Sequence, residues 1–138
     1  MKLLDTNVFV YSRGGPHPYR DPSRAILRAA EAQGDAFGVD VKALQELLDL
    51  YARRGQRAFA VRIVEETLAL FPDPFPITRR EVEEAADIVK GYRRLSPRDA
   101  IHAAVVFTHG LEGIVSGDRG FDRVAGLARF DPLELAAG

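Results

Sequence analysis

At 138 residues, with 46% hydrophobic and 28% charged side chains, the chain has the make-up of an ordinary folded domain that buries about two thirds of its unfolded surface. It has no cysteine, which excludes disulfides, thiolate chemistry and cysteine-held zinc or iron–sulfur centres, and no apolar run of membrane-spanning length. A net charge of −1 gives no global attraction to nucleic acid, yet bound cations reverse the sign of an acidic site, so nucleic acid is not excluded.

A strand is predicted from residue 2, which leaves no room for a signal peptide; the expectation is one cytoplasmic domain over residues 1–138. Lys2-Leu3-Leu4 is that opening strand, ended by Asp5-Thr6-Asn7, which begins a helical stretch through Val8-Phe9-Val10-Tyr11. Gly14-Gly15-Pro16-His17-Pro18 is dense in breakers and reads as a loop. A helix over 22–33 and a short strand at 36–39 follow. Asp40 then caps a helix over 41–54, with Val41, Leu44, Leu47, Leu48 and Tyr51 at helical spacing. Gly55 breaks it, and a second helix over 56–70 completes a helical hairpin. Phe75-Pro76-Ile77 reads as a strand despite its proline. Thr78-Arg79-Arg80-Glu81 is a capping box for a helix to about residue 94, and Ser96-Pro97 opens another that Gly110 stops. Gly113–Ser116 and Leu127–Phe130 read as the last strands. Strands alternating with helices predict an α/β fold whose mostly parallel sheet is covered on both faces.

Three acids fall at related places in this pattern. Asp5 and Asp118 follow short apolar strands, and Asp99 opens a helix whose N-terminus belongs to the same edge of a parallel sheet, where open α/β sheets collect their ligands. Carboxylates brought together from distant segments repel one another, and a hard divalent cation such as Mg²⁺ or Mn²⁺ is the usual remedy. Each acid also has a local structural role open to it. Asp5 and Asp118 can each cap the helical turn that begins after them, Asp99 completes a capping pattern with Ser96, and Asp122 can be a solvated helix residue. Glu46 stands four residues after Lys42, as in an ordinary solvated pair. Asp40, at the end of the second strand, is a rival ligand, though its role as a helix cap suffices to explain it. His102 shares a helical face with Asp99, as a packed core histidine, as a support behind the site's carboxylates, or as a substrate contact. Among the arginines, Arg98 and Arg119 adjoin motif acids and are the candidates for a phosphate.

Taken together, Leu4-Asp5-Thr6-Asn7, Gln45-Glu46-Leu47-Leu48, Asp99-Ala100-Ile101-His102-Ala103-Ala104 and Ser116-Gly117-Asp118-Arg119-Gly120-Phe121-Asp122 resemble, in order, the motifs of the PIN domain family, in particular the VapC-like toxins of type II toxin–antitoxin pairs. The resemblance implies a three-layer α/β/α sandwich and a metal-dependent endoribonuclease. Asp5, Glu46, Asp99 and Asp118 would form an acidic quartet, with Asp5, Asp99 and Asp118 holding Mg²⁺ or Mn²⁺. Asn7 and Ser116 would orient the carboxylates or metal-bound waters, and Asp122 would be an auxiliary acid; Arg98, Arg119 and His102 are the candidates for substrate contact by their positions beside the motif acids. It further implies hydrolysis by activated water to 5′-phosphate and 3′-hydroxyl products, a homodimer through the helices at 41–70 and 78–94, and a cognate antitoxin. Single-stranded or loop RNA is the expected substrate, because side chains cannot read the deep major groove of A-form duplex.

Three rival readings use similar parts. A phosphoacceptor receiver domain needs a lysine late in its sheet, and the chain has only Lys2, Lys42 and Lys90. A haloacid-dehalogenase-type phosphatase needs Asp-x-Asp after its first strand, where residue 7 is Asn. A PIN fold serving as a binding protein, or as an RNA-processing nuclease without an antitoxin, has the same motifs.

Overall fold

The computed structural model describes residues 1–137. Its elements run β1 (Lys2–Leu4), α1 (Thr6–Arg13), α2 (Arg20–Ala32), β2 (Phe37–Gly38), α3 (Val41–Arg53), α4 (Arg57–Leu70), α5 (Arg79–Gly91), α6 (Pro97–Thr108), β3 (Gly113–Val115), a 3₁₀ turn (Arg119–Arg123), β4 (Arg129–Phe130) and α7 (Pro132–Ala137). The four strands form one sheet in the order β2-β1-β3-β4, and every pairing is parallel.

Side chains that alternate along such short strands send neighbours to opposite faces. Leu4 and Val115 join Val8, Phe9, Ile26, Leu47, Tyr51 and Ile63 in a core beneath α1–α4. Leu3 and Ile114 join Ala85, Ile88, Ala103, Val106 and Phe121 in a second core beneath α5 and α6. This is the expected α/β/α sandwich. Gly113 is a packing requirement of its sheet, since a Cβ there would lie 2.2 Å from the Ala128 carbonyl oxygen. No helix among the described residues is long and apolar enough to cross a membrane.

The structure departs from the sequence expectation in several places: α2 begins at Arg20, two residues early, and β2 is only Phe37–Gly38. Phe75-Pro76-Ile77 is not a strand. Phe75 makes one parallel bridge to Asp40, giving its N–H to Val39 and accepting from Val41, and Pro76 has no N–H with which to continue a ladder. Helix α5 stops at Gly91, where the Tyr92 N–H caps back onto Ile88. β4 is shorter than 127–130, because the Leu127 N–H turns back to Val124. Helix α7 lies outside the sequence expectation; it begins at Pro132, and the Asp131 carboxylate accepts the Leu133 N–H at 2.9 Å.

The topology decides where ligands can gather. From β1 the chain crosses to β2 on one side, while β3 and β4 lie on the other, so strand order reverses between β1 and β3. A crevice opens at the carboxyl ends of strands at such a switch point. Asp5 and Ser116 stand on its two banks, and the Asp5 N–H bonds the Val115 carbonyl across it at 3.0 Å.

Candidate active site

A cleft of about 270 Å³ opens at this switch point, lined among others by Asp5, Glu46, Asp99 and Asp118 with Asn7, Tyr11 and Arg98. The four acids come from the end of β1, the middle of α3, the first turn of α6 and the segment after β3. Asp99 sits one turn into α6 because Ser96 caps that helix, accepting the Asp99 N–H at 3.1 Å. Asp118 caps the 3₁₀ turn through Gly120 N–H at 2.8 Å. The local capping roles and the shared cleft are therefore compatible: caps fix where these carboxylates stand.

Ser116, fully buried, organises the β1–β3 bank. Its hydroxyl donates to Asp5 Oδ2 at 2.6 Å and accepts from Asn7 Nδ2 at 3.2 Å and from the Asp118 N–H at 2.9 Å. The other Asp5 oxygen accepts the Thr6 N–H at 2.7 Å. Three of the motif residues are thereby locked through one oxygen.

On the opposite bank, His102 is fully buried, with Nδ1 2.7 Å from Asp40 Oδ2, Nε2 2.9 Å from Glu46 Oε1, and Asp5 Oδ1 at 3.8 Å. It therefore has no edge left for a substrate, which corrects that expectation. It also gives Asp40 a place. One Asp40 oxygen caps α3 through Ala43 N–H at 2.9 Å and the other grips His102. Glu46 is not a solvated partner of Lys42, whose ammonium bonds Gln45 instead. An Asp40–His102–Glu46 chain holds its carboxylate at the cleft.

The electrostatics follow from burial and crowding. Burial pushes the Asp5 carboxyl up to about 6, helped by the charges of Asp99 and Glu46 and opposed by His102 and Ser116. Asp99 is raised as well, by burial and then by the charge of Asp118. Burial works against charging the His102 imidazole, but Asp40, Glu46 and Asp5 outweigh it and hold it well above 6.5. Glu46 is held below its ordinary value, since the hydrogen bond and charge of His102 outweigh its burial. His102 is thus the positive charge that lets several acids share the site. No Lys or Arg forms an ion pair with Asp5, Glu46, Asp99 or Asp118 among the described residues.

The remaining expected residues divide. Arg98 lines the cleft, exposed and unpaired with any acid among the described residues. Arg119 is exposed on the 3₁₀ turn outside the cleft lining. Asp122 does not face the carboxylates: Arg129 takes both its oxygens, at 2.9 and 3.2 Å. Arg129 also bonds the Ser116 carbonyl at 3.0 Å and Asp131 at 3.2 Å, so Asp122 bears on the site only through Arg129. Sequence reasoning missed Asp131, Arg129 and Tyr11. Asp131 follows β4 as Asp5 follows β1, a signal that was legible; the other two had none.

Whether this donor set suits a divalent ion can be judged from its chemistry. Hard cations take oxygen ligands, and the cleft offers four carboxylates plus the Asn7 amide oxygen, which is buried with no hydrogen-bond partner. Among the described residues no three acidic or histidine side chains are close enough to form a finished ligand cage. Asp5, Glu46 and Asp118 each turn instead to a donor of the protein. Mutually repelling carboxylates do that, and the donor set fits.

The chain is similar to known proteins along nearly its whole length. The model of the PIN domain family matches residues 2–127. Ribonuclease VapC13 of Mycobacterium tuberculosis is 33% identical over 129 residues, covering 94% of this chain and 98% of that protein. Among solved structures, FitAcB from Neisseria gonorrhoeae superposes with a TM-score of 0.75 at 22% identity, over 96% of this chain and 98% of that one. Mycobacterium tuberculosis VapC20, described as a sarcin-ricin loop cleaving toxin, does so with a TM-score of 0.73 at 19% identity, over 93% and 97%.

Proposed function

The chain belongs to the PIN domain family, and from that premise we propose that it is a divalent-metal-dependent endoribonuclease acting as the toxin of a type II toxin–antitoxin pair. The observation that carries this reading is the convergence of Asp5, Glu46, Asp99 and Asp118 on one cleft, with no Lys or Arg paired to them among the described residues. The ribonuclease name of its 33%-identical relative supports it independently. The antitoxin draws on structural neighbours that include a toxin–antitoxin complex from Klebsiella pneumoniae.

Asp5, Asp99 and Asp118 are the residues we assign to holding Mg²⁺ or Mn²⁺, with Glu46 as the fourth acid. When bound, such a cation acidifies a water and neutralises phosphate charge. The protein's own share is positional. Ser116 fixes Asp5 and is itself fixed by Asn7 and the Asp118 backbone. Asp40 and His102 hold Glu46 with its carboxylate at the cleft. Arg98, charged and unpaired, takes a phosphate oxygen of the substrate, and its guanidinium fork suits that geometry. The crowding of these acids in the free protein would be relieved by a bound cation, which would also offset the charge of a phosphate beside them. We place a homodimer on the helices at 41–70 and 78–94, whose surface carries exposed Leu48, Val61, Leu68, Val82 and Val89.

The test is cleavage of defined RNAs in Mg²⁺, Mn²⁺ or EDTA, comparing the wild type with Asp118→Asn. Cleavage in either metal ion, lost in EDTA and in the variant, is expected. Chelator-insensitive cleavage that Asp118→Asn leaves intact overturns the reading.

A further inference from the structure

One group of side chains at this cleft has no part in the carboxylate chemistry. Tyr11 lines the cleft, and its hydroxyl lies within the field of Asp5 and Asp118, whose charges, after burial, raise its pKa. His17 stacks on Tyr11 with ring centroids 4.5 Å apart and planes within 16°. Tyr19 closes the group, 5.3 Å from Tyr11 and 5.7 Å from His17. Three rings thus lead outward from the acids to a histidine exposed to solvent.

The rings are held rather than loosely collapsed. The Tyr19 hydroxyl donates to Asp131 at 2.9 Å, and Arg129 grips that same carboxylate. Tyr19 packs so closely on Gly117 that a Cβ there would lie 2.9 Å from its ring, which ties the group to the segment carrying Asp118. His17 sits between Pro16 and Pro18, which restrict its backbone, and its Nδ1 accepts the Tyr19 N–H at 3.1 Å. A ring fixed beforehand loses little freedom when something stacks on it. Arg119 follows Asp118 on the 3₁₀ turn, so an exposed cation stands on the segment that Tyr19 packs against.

We propose that Tyr11, His17 and Tyr19 form a stacking subsite for a nucleobase of single-stranded RNA, next to the phosphate held at the carboxylate cleft. The proposal rests on the nuclease reading and deepens it by assigning where the strand is bound. Stacking tolerates any base, since every base has a π-face, so the subsite adds affinity and strand positioning without sequence choice. Such a subsite favours unpaired strands, because a base inside a duplex has no free face to offer.

The experiment uses the full chain, with Ca²⁺ in place of Mg²⁺ and strand integrity checked on gels. Fluorescence anisotropy tracks a labelled RNA single strand of about eight nucleotides and an abasic strand with the same number of phosphates. His17→Ala is expected to weaken binding of the base-bearing strand about tenfold and leave the abasic strand within about twofold, while His17→Phe, which keeps the ring but not the Nδ1 acceptor for the Tyr19 N–H, recovers most of that loss. Equal losses on both strands, no loss on either, or a His17→Phe variant as weak as His17→Ala overturns the subsite. So does a His17→Ala protein that binds RNA normally but no longer associates with a protein partner, which reassigns the rings to an interface. A wild type that neither binds nor cleaves any RNA refutes the nuclease reading itself; metal-dependent cleavage with an indifferent His17 refutes only the subsite.

Discussion

Replacing Asp5 with Asn separates stability from catalysis. Burial lifts this carboxyl from 3.8 to about 6. At about 1.4 kcal/mol per tenfold change in an ionisation constant, keeping it charged costs the fold about 3 kcal/mol. The folded value lies above the unfolded one, so the cost is absent below pH 3.8, grows between 3.8 and about 6, and is constant above. An Asn removes it without refilling the site perfectly. Its oxygen can still accept from Thr6, but its NH₂ group meets the Ser116 oxygen, which already accepts from Asn7 and Asp118. One unsatisfied donor there costs about 1–3 kcal/mol. His102 also loses a nearby negative charge. Asp5→Asn is therefore expected to be equal to the parent or up to about 2 kcal/mol more stable at pH 7.5, and about 1–3 kcal/mol less stable at pH 4. Urea unfolding of both proteins in EDTA at four pH values measures the difference. Added Mg²⁺ should raise the stability of the parent alone, and RNA cleavage should vanish in the variant. A stability difference that does not change between pH 4 and 7.5 would refute the buried, charge-crowded carboxyl on which the site is built.

His102→Ala leaves Asp40 and Glu46 without their shared partner and is expected to destabilise the fold by about 3–5 kcal/mol. Because the imidazole is held above its ordinary 6.5, its stabilisation is complete below that pH and fades as pH rises through the folded value, so the variant's deficit should shrink in alkali, which a pH series of urea melts reads directly. Ser116→Ala strands Asn7 Nδ2 and the Asp118 N–H and removes a hydrogen bond from Asp5; a loss of about 1–3 kcal/mol in thermal or urea melts is expected, together with slower cleavage at saturating RNA. Arg98→Ala, exposed and unpaired, should leave stability within about 0.5 kcal/mol while raising KM for RNA, with Arg98→Lys intermediate. An unchanged KM in steady-state cleavage would remove Arg98 from substrate binding.

Much of the architecture was legible because short-range chemistry sets it. The Ser96-Pro97 and Thr78–Glu81 starts, the Asp40 cap and the apolar runs at 2–4 and 113–115 depend on neighbours within a few residues, and each lies where the sequence places it. Failures occur where a strand's extent depends on the segment it pairs with. Phe75 finds one bridge partner in Asp40, which Pro76 does not extend, and of 127–130 only Arg129 and Phe130 pair with β3. Asp131 and Pro132, which start α7, are the exception: they obey the same local rule as the other caps, so that helix was open to a sequence reading.

For the site, chain order supplied the residue types and their strand-end positions, and hence the proposal that oxygen ligands gather at one edge. It could not supply the charges' partners. Nothing near Glu46 in sequence distinguishes a solvated glutamate from one held by a histidine 56 residues away. Nor does anything near Asp122 reveal that Arg129, seven residues on, neutralises it. Capping, turn and strand preferences act over the nearest few residues and are written in the sequence. Coulomb forces and hydrogen bonds act through space, so the buried Asp40–His102–Glu46 chain, the Ser116 junction and the aromatic rim were decided only when the parallel sheet brought its strand ends together.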